Sequence, residues 1–127
     1  LLRVKLPLVD GWNARRRVIA TRYSQGIRHH AIEAPPPPGA DHVAHLYVVR
    51  SEHRDALREH LQRSGIGVDV HYPIPDHRQP IFGDRYATVN LPVAEHLART
   101  SLSLPCFAEL TDEEVALVVD ACNAWSA

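Results

Sequence analysis

Residues 65–80 read GIGVDVHYPIPDHRQP, which sets two histidines, a tyrosine and a glutamine among three prolines. His71 and His77 carry imidazoles that donate or accept hydrogen bonds near neutral pH, Tyr72 offers a hydroxyl and Gln79 an amide. Pro73 and Pro75 restrict the backbone directly after the apolar run that ends at Val70. His71 and Tyr72 are therefore expected to project from a fixed mouth at the end of a strand, with His77 and Gln79 converging from the returning loop. Rigid display of this kind suits ligand binding. The competing expectation is a stiff loop whose polar groups satisfy its own carbonyls.

Other chemistry finds little local support. The nine histidines include the pairs His29–His30, His42/His45 and His71/His77, yet none has the HExxH spacing that places two imidazoles on one helical face. No metal site is expected, and His53 and His60 fall on the polar side of a helix. There is no GxSxG elbow, no cysteine with a plausible triad and no GxxxxGK[ST] loop, and the GIG at Gly65 to Gly67 is too short for a dinucleotide fingerprint. Glu113 and Glu114 read as helix-capping acids. No residue is assigned a catalytic role, and the scarcity of lysine matters here, since Lys5 is the sole side chain able to form a Schiff base.

Fourteen Lys+Arg against fifteen Asp+Glu leave a net charge of −1, which gives no field for nucleic acid or an anionic membrane, and neither is expected as a partner. Cys106 and Cys122 have no CxxC spacing and make no disulfide framework, so a reduced, cytoplasmic setting is expected. No apolar run reaches the roughly 20 residues that cross a bilayer. The sequence contains no methionine and does not begin with one, which raises the expectation of a longer parent polypeptide.

The 127 residues make one domain. A helix over about 8–28 carries Trp12, Ile19, Tyr23 and Ile27 on one stripe, with Arg15, Arg16, Arg17 and Arg22 on a solvated or salt-bridged face. EAPPPPGAD follows as a rigid spacer. HVAHLYVVR predicts a strand, and Ser51 precedes a helix with Ala56, Leu57 and Leu61 inward and Gly65 as its stop. IGVDV predicts a second strand, VNLPVAEHLART a helix with Leu91, Ala94, Leu97 and Ala98 on one face, and SLSLP a short strand. Thr111 with Asp112, Glu113 and Glu114 predicts a capped last helix through Val115, Val118, Val119 and Cys122. The order fits an α+β fold of helices packed on a small sheet.

Three stretches in series, KLPLVDGWNARRRVIATRY, HVAHLYVVRSEHRDALREHLQRSGIGVDVHYPIPDHRQPIF and NLPVAEHLARTSLSLPCFAELTDEEVALVVDA, closely resemble the carboxy-terminal small domain of the DegT/DnrJ/StrS family of sugar aminotransferases. The resemblance covers nearly the whole chain, and its most specific pieces are the Gly-Ile to His-Tyr-Pro run and LSLPCFAELTDEEV. It implies the small, mostly antiparallel sheet packed with helices of a fold-type I enzyme. In that family pyridoxal 5'-phosphate (PLP) carries an amino group, usually from glutamate, to a keto sugar attached to a nucleotide. The cofactor lysine, phosphate cup and pyridine-facing acid lie in the amino-terminal large domain, so this chain alone is expected to be inactive. The His-Tyr-Pro segment lies near the sugar-nucleotide pocket, often across the interface of a homodimer, and this carries over to His71, Tyr72 and Pro73, and to His77 and Gln79. The tetraproline Pro35 to Pro38 departs from the family pattern. The alternative is a non-catalytic interaction or regulatory module with the same fold.

Overall fold

Four rungs of antiparallel pairing hold the middle of the fold: Tyr47↔Leu104, Val48↔Ser103, Val49↔Leu102 and Arg50↔Ser101. They join β1 (Tyr47–Arg50) to β2 (Ser101–Leu104) in the computed structural model, which describes residues 2–126. The helices are α1 (Leu2–Lys5), α2 (Val9–Gly26), α3 (Arg54–Arg63), α4 (Pro92–Thr100) and α5 (Asp112–Ala124), with 3-10 turns at Leu6–Leu8, Asp76–Arg78 and Pro80–Tyr86. The α+β architecture with a small antiparallel sheet is the one the resemblance implied.

A sheet this small is stable only when helices cover it. Ile19, Ala20 and Tyr23 of α2, Leu57 and Leu61 of α3, and Val115, Val118 and Cys122 of α5 supply that cover and are buried with Tyr47, Val49, Leu102 and Leu104. The Tyr23 hydroxyl donates to the Pro105 carbonyl at 2.9 Å, so the one polar atom of that large core side chain is satisfied. Arg15 donates to the Leu110 carbonyl at 2.6 Å and pairs with Asp112 at 2.8 Å, while Arg22 reaches the same carboxylate at 2.6 Å. The arginine face is thus partly spent on the start of α5. Arg15 first, helped by Arg22, holds the Asp112 carboxyl below its usual range. Thr111 and Glu114 form the expected capping box, with the Glu114 N–H donating to the Thr111 hydroxyl at 3.2 Å and the Thr111 N–H donating to the Glu114 carboxylate at 2.8 Å.

Four expectations are corrected. The IGVDV stretch contributes a single bridge, Asp69↔Ser103, in place of a strand. Its alternation does turn Ile66, Val68 and Val70 inward, but the Asp69 carboxylate accepts the Val70 N–H at 2.8 Å, a local bond that competes with a longer ladder. The first strand starts at Tyr47, because Ala44 adopts a positive φ of 49° and its N–H donates to His42 Nδ1, which makes a turn. On α3, Ala56 is exposed, while His60 leans inward to the Ala121 carbonyl at 3.0 Å. On α4 only Thr100 is buried, and Leu91 and Leu97 stay open to solvent. No helix of the described residues is long and apolar enough to cross a membrane.

Replacing Leu61 with Ala should cost about 2–5 kcal/mol through the cavity it leaves. Thr111→Ala should cost about 1 kcal/mol by removing the cap, whereas Ala56→Ser should be close to neutral. Urea denaturation followed by circular dichroism measures all three, and an Ala56→Ser loss equal to that of Leu61→Ala would contradict the packing described.

Candidate functional site

The open face of α4 forms the floor of a cleft of about 860 Å³. The opposite wall is the loop that carries His77, Phe82 and Tyr86, and His71 and Tyr72 stand at one end. Proline-rich sequence and tight 3-10 turns build that loop, and Gly83, at φ 50°, lets it kink between its turns.

His71 is placed by the sheet. Ser103 is buried, its N–H donates to the Asp69 carbonyl at 2.8 Å, and its carbonyl accepts the Asp69 N–H at 3.2 Å. Two residues on, His71 Nδ1 lies 2.9 Å from the Ser103 hydroxyl. If the hydroxyl donates, the imidazole proton sits on Nε2 and the ring offers a donor to the cleft; if it accepts, Nε2 is an acceptor. Tyr72 is 75 % exposed, with its ring edge-on to His71 at 5.7 Å between centroids. Its hydroxyl makes no hydrogen bond among the described residues.

The side chain of His77 is only 8 % exposed, and its Nε2 lies 2.9 Å from Glu95 Oε1. Arg78 reaches the same oxygen at 3.1 Å. The hydrogen bond from His77 first, and the Arg78 guanidinium second, hold the Glu95 carboxyl below its usual value. Gln79 is placed elsewhere: its amide donates to the Ile74 carbonyl at 3.1 Å, inside its own loop and outside the cleft lining. His71, Tyr72 and His77 are therefore brought together and Gln79 is not. Sequence reasoning missed Glu95, Ser103, Phe82 and Tyr86. The surplus of apolar residues on α4 was a usable signal for the floor, whereas nothing local pairs Glu95 with a histidine eighteen positions away.

The lining contains neither lysine nor arginine, and Lys5 stands exposed at the end of α1. Burial pushes the Cys106 thiol up to about 11 and the Cys122 thiol up to about 12, so neither is a thiolate nucleophile at neutral pH. Among the described residues no group of three or more histidines, cysteines and acids is arranged to hold a metal. Several imidazoles have local duties, as where His29 Nδ1 accepts the Ala31 N–H at 3.2 Å. The arrangement can stack on rings and hydrogen-bond to hydroxyls.

The sequence profile of the DegT/DnrJ/EryC1/StrS aminotransferase family matches residues 1–123. The chain belongs to that family. Among curated relatives, the dTDP-3-amino-3,4,6-trideoxy-alpha-D-glucose transaminase of Streptomyces venezuelae is 40% identical over 99% of this chain and 34% of its own length. The pleiotropic regulatory protein of Geobacillus stearothermophilus is 38% identical over 94% of this chain and 34% of its own length. The crystal structure of S. venezuelae DesV in complex with a ketimine intermediate superposes with a TM-score of 0.87 at 40% identity, over 98% of this chain and 34% of that one. The chain thus spans about a third of the length of the family members it matches.

Since Glu95 titrates below the ordinary carboxylate value of 4.5, its tie to the loop is complete above that pH and is lost as pH falls through the lowered value. Carbon-13 NMR of the Glu95 carboxyl should give a midpoint under 4.5, with amide resonances of residues 75–89 moving in the same step. A midpoint above 4.5 would contradict the pairing.

Proposed function

We propose that this chain is the carboxy-terminal part of a cytoplasmic PLP-dependent aminotransferase that moves an amino group from an amino acid such as glutamate to a nucleotide-linked keto sugar. The observation that carries the reading is the cleft: an apolar floor with histidine and tyrosine at its mouth, on a chain of that family spanning a third of its relatives' length. Residues 1–127 act as one small domain in this reading.

The residues present do not fit the cofactor itself. Its carbonyl requires a lysine amine, and the cleft lining contains no lysine. The cofactor belongs, on this reading, to an amino-terminal large domain of the same enzyme, and no step of amino transfer is assigned to this chain. Its own residues bind and orient. The rings of Tyr72, Phe82 and Tyr86 present faces for stacking, and His71 and the Tyr72 hydroxyl hold sugar hydroxyls or phosphate oxygens. The apolar floor excludes water, which strengthens those hydrogen bonds. The open side of the cleft is closed by the large domain and by a second copy in a homodimer.

A second reading, a regulatory module with the same fold, is favoured by the regulatory name of the G. stearothermophilus relative. Glutamate-dependent amination of a nucleotide keto sugar by the longer protein, loaded with PLP, separates the two; a folded, loaded protein without turnover would favour the regulatory module.

In that longer protein, His71→Ala and Tyr72→Phe should each raise KM for the nucleotide sugar about tenfold by removing one hydrogen-bonding group. The cofactor absorbance should be unchanged. Equal loss of cofactor and of turnover would contradict the binding role.

A further inference from the structure

Residues 72–90 form a cleft wall in which no apolar residue is buried, so apolar packing contributes little to holding them in shape. Two residues close this loop on itself. Arg78 donates to the Ala87 and Val89 carbonyls, each at 3.1 Å, and Gln79 donates to the Ile74 carbonyl. Among the described residues, the side-chain hydrogen bonds that leave the loop end on one atom, Glu95 Oε1, which accepts from His77 Nε2 and Arg78. Glu95 lies on α4 beside Ala94 and within one turn of Leu91 and Ala98, which line the opposite side of the cleft.

We propose that Glu95 is the positioning residue of the substrate cleft: it ties the loop to α4 and fixes His77 as the Nε2–H tautomer, leaving Nδ1 to accept a hydrogen bond from a hydroxyl or amide N–H of a bound nucleotide sugar. The ligand class rests on the function proposed above, while the tie and the tautomer rest on geometry alone. An ionised carboxylate has no proton to give, so the proton between it and the imidazole belongs to Nε2. Neutral imidazole carries one N–H, and Nδ1, which has no partner among the described residues, is then an acceptor. Arg78 donates to the same oxygen at 3.1 Å, a second bond that is charged on both partners and holds the carboxylate in place. Loss of the carboxylate therefore removes both ties between the loop and α4 at once and lets the imidazole proton move between its nitrogens.

Long-range proton–nitrogen-15 spectra of the protein identify the tautomer. Wild type should show His77 as Nε2–H, and Glu95→Ala a mixture of tautomers with faster amide exchange across residues 75–89. Glu95→Gln, which keeps an acceptor oxygen, should fall between. In the longer enzyme Glu95→Ala should raise KM for the nucleotide sugar about tenfold while kcat is held, with partial rescue by Glu95→Gln. Unchanged tautomer and exchange in Glu95→Ala would overturn the proposal, and so would a changed tautomer with an unchanged KM. If the wild-type longer enzyme transfers no amino group, the functional reading falls, and the imidazole spectra still decide the tie.

Discussion

Ser103 is where the core meets the cleft. Its backbone faces Val48 across the ladder and exchanges both hydrogen bonds with Asp69 on the other edge, and its hydroxyl meets His71. A buried polar residue is tolerated only when its groups are partnered, and here each partner is a positioning device. The Asp69 bridge lays residues 66–70 against β2, which turns Ile66, Val68 and Val70 inward and delivers His71 to the end of the cleft. The sheet is too small to stand uncovered, so the apolar stripes of α2, α3 and α5 follow from the same requirement.

Period and local chemistry made the covered elements legible. Tyr23 and Ile19 on α2, and Thr111 with Glu114 at the head of α5, are read from spacing because their partners lie within a few residues or on one helical face. His71, Tyr72 and His77 were legible as a group because prolines stiffen the chain that carries them. The misplaced helix faces share one physical origin, in that sequence pattern reports which face is apolar but not what covers it. Leu91 and Leu97 kept helical spacing yet floor a cleft, and Ala56 kept it yet faces solvent. Glu95 was invisible because its bond to His77 is tertiary, and Gln79 turned to a carbonyl of its own loop, the outcome that competes with binding in any stiff polar segment.

The surface repeats the message of the cleft. Leu2, Val4, Leu6 and Leu8 lie exposed in the amino-terminal turns, and Ile81, Val93 and Leu97 around the cleft are open as well. Exposed apolar side chains gathered in this way mark contact surfaces. On the proposed function, the cleft is one wall of a site whose reactive groups belong to another part of the enzyme. The proposed division has a chemical logic: a binding wall needs shape and hydrogen-bonding groups, whereas the cofactor needs an amine that this wall lacks.

That division is open to one direct measurement. A nucleotide sugar bearing a photoreactive group is irradiated on the longer enzyme, the cofactor is fixed by borohydride, and tryptic peptides are read by mass spectrometry. The account predicts the sugar probe on the peptide of residues 64–78, which carries His71, Tyr72 and His77, and the pyridoxyl mark on a lysine outside these 127 residues. A pyridoxyl group on Lys5, or a sugar probe that never marks residues 64–99, would contradict it.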